Sequence, residues 1–180
     1  MNRSETTLPN VGDTDELSLA TMQSPVGELT LIASPRGLRA VLWPREVADP
    51  TAIVPAEDGD PAAAAILHDA AAQLQEYFAG ERHEFELPLD PLGTPFQQSA
   101  WLELRRIPYG ETISYGEQAR RLGDPNKSRA VGAANGRNPI SIIVPCHRVV
   151  GANGSLTGFA AGVEAKAWLL HHEQGMQTLL

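Results

Sequence analysis

The sequence has one cysteine, Cys146, among its 180 residues. A single cysteine cannot form an intramolecular disulfide or supply the several thiolates of a structural zinc site, so Cys146 is either a small buried side chain or a reactive group. No apolar run reaches the roughly 18 residues that a membrane-spanning helix needs, and the first residues lack the apolar centre of a secretory signal. We therefore expect a cytoplasmic protein with no bound metal and no membrane association.

Basic residues are scarce in the first half of the chain. Residues 1 to 95 hold five arginines against sixteen acidic residues, a net charge of −11, whereas residues 96 to 180 hold nine basic and six acidic residues, a net charge of +3. The basic excess is densest at Arg105, Arg106, Arg120, Arg121, Lys127, Arg129 and Arg137. Such a cluster is typical of a surface that faces DNA phosphates, and equally of an ordinary solvated surface.

Short β-branched segments separated by Pro and Gly turns predict a small antiparallel sheet in the first half of the chain. The pattern occurs three times, at 17–23, 27–34 and 37–43. The acidic, proline-interrupted stretch 46–60 is predicted to be a loop. Asp60 then caps a helix that has Pro61 at its first position and ends before Gly80, and 84–89 is predicted to be a further strand.

Capping signals predict two helices at the start of the second half. Thr94, followed by proline, begins the first, and the apolar stripe of that helix ends at Ile107. Ser114 and Glu117 have the spacing of a capping box and begin a second helix, over about 115–122.

A tight turn and a small, basic helix follow. Gly, Asp and Pro at 123–125 turn the chain, and the next helix is predicted over about 126–135, so the pair has the pattern of a helix-turn-helix. The second helix contains Gly132, Ala133 and Ala134, which would allow either a close approach to a DNA groove or close packing of two helices.

The predicted fold class is α/β in the α+β arrangement. The β-branched run 140–150 predicts a buried strand with Cys146 at its end, and a last helix is predicted over about 163–173. The predicted organisation has four parts: a flexible tail at 1–16, an amino-terminal αβ lobe at 17–90, a mostly helical domain with the helix-turn-helix and the cysteine strand at 94–175, and a short tail at 176–180.

A thiol attacks carbon only as the thiolate, so a base must take the proton of Cys146. His147 is the adjacent residue, and Glu173, far along the chain, is a candidate for holding its imidazole in one tautomer. Neighbouring side chains of a regular strand point to opposite faces, so either a distorted backbone or a bridging water must connect Cys146 with His147. Glu173 ends a helix, where the macrodipole disfavours an anion; either a specific cationic or hydrogen-bonding partner or the adjacent His171 and His172 would offset this.

The string Pro-Cys-His-Arg at 145–148 resembles the active-site signature of the O6-alkylguanine-DNA alkyltransferases, the methylated-DNA–protein-cysteine methyltransferases. The resemblance covers about residues 94 to 175 and includes Asn138-Pro139, Tyr115, Arg129, Lys166, the segment 168–170 and Glu173. It implies DNA repair by irreversible, stoichiometric transfer of the alkyl group of O6-alkylguanine, and of O4-alkylthymine, from double-stranded DNA to Cys146. It also implies a monomer that needs no cofactor, with 94–175 as the domain for DNA binding and alkyl transfer.

The resemblance implies a role for each residue near the thiol. Cys146 is the nucleophile, His147 activates it through a water, and Glu173 orients the histidine. Asn138 braces the turn beside the site. Tyr115 helps to evict the damaged nucleotide and offers its hydroxyl to the departing guanine.

The resemblance also implies a DNA surface and a base pocket. Arg129 fills the space that the extruded nucleotide leaves, from a helix in the minor groove. Further DNA contacts are implied for Tyr115, Lys127, Ser128, Gly132 and Ala133. The pocket is implied to contain Val149, Phe159, Ala160 and Ala161. Where the family usually has Tyr, then Ser or Ala, then Gly-Gly, this chain has Phe-Ala-Ala-Gly at 159–162. Phe159 therefore lacks the tyrosine hydroxyl. Ala161 stands where the family commonly has glycine and is expected to narrow the pocket.

Three alternatives have sequence features that separate them from alkyl transfer. Damage sensors of the alkyltransferase-like type replace the cysteine, which is present here. Alkylation-responsive regulators carry an additional cysteine-rich domain, which this chain lacks. A thiol hydrolase with a Cys-His-Glu relay would act on a small molecule, would not need Arg129 on a helix-turn-helix, and would turn over repeatedly.

Overall fold

The computed structural model of the protein describes residues 11–12, 16–44, 53–156, 159 and 162–175. The predicted tails at 1–16 and 176–180 lie almost entirely outside these ranges. Within them, no helix is both long and apolar enough to cross a membrane. The fold is mixed, with an amino-terminal sheet followed by a largely helical region, which confirms the predicted class.

The sheet has four strands in the order β3-β2-β1-β4. Strands β1 (Ser18–Met22), β2 (Leu29–Ser34) and β3 (Gly37–Leu42) form an antiparallel meander, which confirms the three predicted strands. Strand β4 (Val54–Pro55) pairs in parallel with β1.

The prediction of an uninterrupted loop over 46–60 is wrong where the structure describes that segment. The two residues of β4 extend along the edge of the sheet, and Ala56–Asp58 form a 3-10 turn. Proline does not prevent this pairing, since an edge strand does not need every N–H for the ladder. The part of the segment at 46–52 lies outside the described residues.

One long helix, α1 (Pro61–Phe78), packs on the sheet. The Asp60 carboxylate accepts hydrogen bonds from the amides of Ala62 and Ala63, so the predicted cap is confirmed. Its buried face joins the main hydrophobic core, which includes Leu31 of the sheet.

The strand predicted at 84–89 is wrong. Only Leu89 forms a bridge, with Leu38, whose amide donates to the Pro88 carbonyl and whose carbonyl accepts from the Asp90 amide. Pro88 has no N–H, and the pairing does not propagate beyond this single bridge.

Where the structure describes the second half, it contains four α-helices and two short strands: α2 (Pro95–Leu104), β5 (Ile113–Ser114), α3 (Tyr115–Arg121), α4 (Ser128–Gly136), β6 (Val149–Val150) and α5 (Val163–Glu173). The helices confirm the predicted elements to within a few residues, and a 3-10 turn at Pro125–Lys127 precedes α4. Thr94 and Gln97 form a reciprocal capping box at α2. Ser114 caps α3 by accepting from the amide of Glu117, whose carboxylate binds Arg120 and Arg121.

Buried polar contacts fix the helix-turn-helix, α3 and α4, on α2. The side-chain amides of Gln118 and Asn135 exchange two hydrogen bonds of 3.0 and 2.8 Å, and Gln118 also donates to the Ala100 carbonyl. The indole N–H of Trp101 donates to the Ala134 carbonyl at 2.8 Å. Because these groups are buried, each bond must be made for the helices to keep this arrangement.

Candidate active site

Cys146 does not lie on a regular strand, so the strand predicted over 140–150 is wrong except at β6. The chain forms a tight turn in which the Val144 amide donates to the Ile140 carbonyl. Ile142 has a φ of 75°, an uncommon conformation for a β-branched residue, and its fully buried side chain helps to offset the strain. A 3-10 turn then begins at Cys146 and ends at Arg148.

Asn138 holds this turn through two side-chain hydrogen bonds. Its side-chain N–H donates to the Val144 carbonyl at 2.8 Å, and its side-chain oxygen accepts from the Ile140 amide at 3.0 Å. Both bonds are buried, and they hold a β-branched segment that would otherwise favour an extended strand. The role in the reaction that the family resemblance implies for Asn138 stays a prediction.

His147 is completely buried beside Cys146, and its Nε2 lies 2.6 Å from Glu173 Oε2. Its Nδ1 is also buried, and it has no hydrogen bond with any described residue, the Cys146 sulfur included. The backbone at Cys146 is distorted from a strand into a 3-10 turn, which was one of the two arrangements that the sequence left open. Even so, the imidazole is not hydrogen-bonded directly to the sulfur. This geometry leaves the bridging-water alternative for proton transfer between the two side chains.

Glu173 is the centre of a buried hydrogen-bond network. Its Oε2 accepts hydrogen bonds from Tyr77 Oη at 2.6 Å, from His147 Nε2 at 2.6 Å and from Arg148 Nη2 at 3.1 Å. Its Oε1 accepts hydrogen bonds from Arg148 Nε at 2.7 Å and from the Gly110 amide at 3.3 Å. Every acceptor position of the carboxylate is used, so the side chain is held in one orientation.

The charges of this network follow from burial and from Arg148. Burial raises the pKa of Glu173, but the hydrogen bond from His147 and the hydrogen bonds and charge of Arg148 outweigh burial and leave that pKa well below its ordinary value. Burial lowers the pKa of His147 and outweighs the opposing effect of Glu173. The stable state is therefore a glutamate paired with Arg148 and a neutral imidazole that donates Nε2–H to it, which leaves a lone pair on Nδ1.

Arg148 is the cationic partner of Glu173. Its charge offsets the unfavourable position of an anion at the carboxyl end of α5. Its third contact, from Nη1 to the Ile107 carbonyl at 2.7 Å, ties the network to the segment after α2. In the same segment Gly110 has a φ of 80°, and a Cβ there would lie 3.2 Å from the Glu173 carbonyl oxygen. A glycine therefore suits both the backbone conformation and the close approach.

Lys166 and Tyr115 form a second polar contact near the thiol. Lys166 is buried, and its Nζ donates to Tyr115 Oη at 3.5 Å and lies 5.7 Å from the centre of that ring. Burial lowers the pKa of Lys166, and the Cys146 charge acts against this.

The residues predicted to meet DNA in α4 and directly before it are exposed or partly buried. Arg129, Lys127 and Ala133 are exposed, whereas Ser128 and Gly132 are partly buried. Among the described residues, Arg129 has no hydrogen bond or ion pair, and its side chain is available to a ligand.

The remaining pocket residues are only partly described. Val149 is buried in β6, and Phe159 packs edge-on against Trp43, with ring centres 5.5 Å apart. Ala160 and Ala161 lie outside the described residues, so the predicted narrowing of the pocket stays a prediction.

A cavity of about 400 Å³ opens between the two halves of the chain, lined by residues that include His83, Arg105, Pro145 and Arg148. Its lining contains neither Cys146 nor any of the predicted pocket residues, so it is not the expected base pocket. In the described part of the chain, no group of three or more His, Cys, Asp or Glu side chains is placed to hold a metal ion.

Sequence reasoning missed two contributors to the network. Tyr77 registers only as one position of the apolar face of α1, because its partner is 96 residues away. Arg148 is visible only as the last letter of the Pro-Cys-His-Arg string. The signal that could have found Arg148 is the unfavourable helix-end position of Glu173.

Comparison with known proteins places the chain in one family along nearly its whole length. Residues 95–175 match the family described as 6-O-methylguanine DNA methyltransferase, DNA binding domain, and residues 17–91 match its ribonuclease-like domain. A methylated-DNA–protein-cysteine methyltransferase of Methanosarcina acetivorans is 46% identical over 157 residues, covering 86% of this chain and 96% of the relative. One from Mycobacterium tuberculosis is 48% identical over 156 residues, covering 86% and 90%.

Solved structures agree with the sequence relatives. The crystal structure of the M. tuberculosis O6-methylguanine methyltransferase superposes with a TM-score of 0.78 at 45% identity, covering 91% of this chain and 96% of that one. M. tuberculosis OGT in complex with DNA also superposes with a TM-score of 0.78, at 47% identity over 88% and 94% of the two chains. The protein therefore belongs to the 6-O-methylguanine DNA methyltransferase family and is a methylated-DNA–protein-cysteine methyltransferase that acts in DNA repair by direct reversal.

Proposed function

We propose that Cys146 itself accepts the alkyl group, from O6 of guanine and also from O4 of thymine in double-stranded DNA, once per protein molecule. The observation that carries the proposal is the buried contact between His147 Nε2 and Glu173 Oε2 directly beside the thiol. It fixes the imidazole tautomer so that Nδ1 is the free base, as proton removal from Cys146 requires.

The reaction follows from this tautomer. Nδ1 of His147 accepts the thiol proton through a bridging water, and Glu173, paired with Arg148, stabilises the imidazolium that forms. The sulfur of Cys146 then bonds to the alkyl carbon as the bond from that carbon to O6 breaks. The electron pair passes to the guanine, which accepts a proton, and the Tyr115 hydroxyl is placed to supply a hydrogen bond or proton to it.

The thioether that results is not hydrolysed by these groups, because its saturated carbon has no carbonyl for water to attack and a thiolate is a poor leaving group from such a carbon. Each protein molecule is therefore consumed. A thiol hydrolase with the same relay would release its acyl group and turn over, so the number of turnovers separates the two reactions.

The target base must leave the duplex before sulfur can reach it. We assign this step to α4: Arg129 enters the stack, and Lys127, Ser128, Gly132 and Ala133 lie along the DNA backbone. Gly132 lies against the Tyr115 ring, where a Cβ would be 3.8 Å from the nearest ring carbon, so the helix that meets DNA also borders the active site. Phe159 and Val149 would line the pocket for the extruded base, and we assign Ala160 and Ala161, which lie outside the described residues, to the same pocket from the sequence alone. One chain contains all of these groups, in keeping with a monomer.

The test is a titration of the protein with a duplex that contains one O6-methylguanine. The amount of guanine restored should equal the amount of protein and then stop. Cys146→Ser should restore none while still binding the duplex. Restoration that exceeds the protein, or transfer by the serine variant, would contradict the proposal.

The role of Arg129 is tested by comparing duplex with the free O6-methylguanine base. Arg129→Ala should slow transfer from duplex by roughly tenfold or more, because extrusion costs a few kcal/mol, and should leave transfer from the free base unchanged. Arg105→Ala is the matched control, since Arg105 is an exposed arginine outside α4. Equal losses in the two variants would show that Arg129 contributes charge alone.

A further inference from the structure

We propose that Tyr77, in the amino-terminal half of the chain, is a positioning residue for the Cys146 reaction, because its hydroxyl holds the same Glu173 oxygen that receives His147. This inference rests on the function proposed above and adds a residue to it. Tyr77 lies near the end of α1, is fully buried, and donates to Glu173 Oε2 at 2.6 Å across 96 residues of chain.

The shared oxygen gives Tyr77 influence over His147. Oε2 accepts from both Tyr77 and His147 at 2.6 Å, so each donor withdraws negative charge from the atom that the other one uses. A hydrogen bond donated to a carboxylate stabilises its anionic form and lowers its basicity. Tyr77 therefore weakens the attraction of Glu173 for an imidazolium, which keeps His147 neutral and able to accept the thiol proton.

The phenol is a permanent donor held in a rigid site. Burial, together with the negative charge of Glu173, raises the pKa of Tyr77 well above its ordinary value, so the hydroxyl keeps its proton at any physiological pH. The ring contacts four other rings, those of Phe78, Phe85, Tyr109 and His172, at centre distances of 5.2 to 6.1 Å. The carbonyl of Tyr77 also accepts from His172 Nε2 at 2.7 Å. The first half of the chain thereby fixes a group of the second half's active site.

The experiment compares Tyr77→Phe with Tyr109→Phe. Tyr109 belongs to the same ring cluster, and its hydroxyl has no hydrogen bond with any described residue, so its loss removes one hydroxyl without touching Glu173. The measured quantity is the pH midpoint of the acid limb in single-turnover methyl transfer from duplex. The ionisable groups that face the Glu173–His147 pair are unchanged in Tyr77→Phe: Arg148, Lys166, Cys146, Tyr109 and His172.

Without the Tyr77 hydroxyl, Oε2 is more basic and the pKa of His147 rises, so the acid limb should move to higher pH, by roughly 0.5 to 1 pH unit for one hydrogen bond. The midpoint of Tyr109→Phe should equal that of the unaltered protein. A purely structural role for Tyr77 would change the fraction of folded protein but not this midpoint. Superimposed profiles for the unaltered protein and Tyr77→Phe would overturn the proposal.

A second measurement separates this inference from the proposed function. Because Cys146 is the sole cysteine, the rate of protein labelling by iodoacetamide reports that thiol without any DNA. Suppose that the pH midpoint of labelling moves upward in Tyr77→Phe while the unaltered protein transfers no methyl group. That result would support the role of Tyr77 and reject alkyl transfer. If Tyr77→Phe does not fold, 3-fluorotyrosine at position 77 supplies a stronger donor and should shift the labelling limb to lower pH; an unshifted limb would overturn the proposal.

Discussion

Replacing Arg148 by methionine tests the charge state of the active-site network. The substitution keeps an unbranched apolar stem but removes the guanidinium that donates to both Glu173 oxygens, at 2.7 and 3.1 Å, and to the Ile107 carbonyl at 2.7 Å. The Arg148 and Glu173 side chains are only 7% and 1% exposed. Removing one partner of a buried ion pair costs about 3–5 kcal/mol, because the other charge stays buried without compensation.

We expect a loss of about 3 kcal/mol for Arg148→Met, the lower end of that range, since Glu173 keeps its contacts with Tyr77, His147 and Gly110. For a chain of this length such a loss corresponds to a fall in Tm of roughly 6–12 °C. Urea denaturation at neutral pH gives the free energy directly, and the thermal midpoint checks it.

The control is Arg120→Met, which breaks the ion pair with Glu117 on the surface of α3. The Arg120 side chain is 65% exposed, and such pairs contribute about 0–1 kcal/mol. If Arg148→Met lost no more stability than Arg120→Met, Glu173 would not be a buried anion held by Arg148. The tautomer assigned to His147 would then lack its physical basis.

Three further predictions concern the surroundings of the site. Gln118→Leu should destabilise the protein by about 1–3 kcal/mol in urea denaturation, because Asn135 loses its buried partner; a change below about 0.5 kcal/mol would contradict this. Asn138→Ala frees the Val144 carbonyl in the turn before the thiol, so it should lower stability by a similar amount and also slow iodoacetamide labelling; an unchanged labelling rate would show that the turn is held without Asn138. The lowered pKa of His147 means that the unfolded chain binds a proton more readily, so stability should fall as pH drops through the ordinary histidine range near 6.5; the fall should be smaller in His147→Gln, and equal slopes would refute this.

Local signals predicted most of the fold. Asp60 with Pro61, Thr94 and Ser114 each mark a helix start, and the structure places a helix at all three, because a cap is formed by residues within one turn of each other. The turn at Cys146 shows where local sequence signals fail to predict the structure. A β-branched run favours a strand, but buried bonds from Asn138 and the left-handed Ile142 bend it, and neither contact is visible in a periodic pattern.

The sequence predicted several residues of the candidate site but not the hydrogen bonds that join them. The adjacent Cys146 and His147 and the distant Glu173 follow from the chemistry of a thiol and from the family resemblance. The shared oxygen of Glu173 does not, because Tyr77 reaches it from the other half of the chain through tertiary packing alone. A tyrosine on the apolar face of a helix has the same sequence pattern whether its hydroxyl is functional or only buried.

The most direct test of the account follows the alkyl carbon itself. Duplex DNA with a carbon-13-labelled O6-methyl group is mixed with an equal amount of protein, which is then digested and analysed by mass spectrometry. We expect one labelled methyl group per chain, bound to the sulfur of Cys146, and no labelled methanol in solution. Labelled methanol with an unmodified Cys146 alongside restored guanine would contradict it.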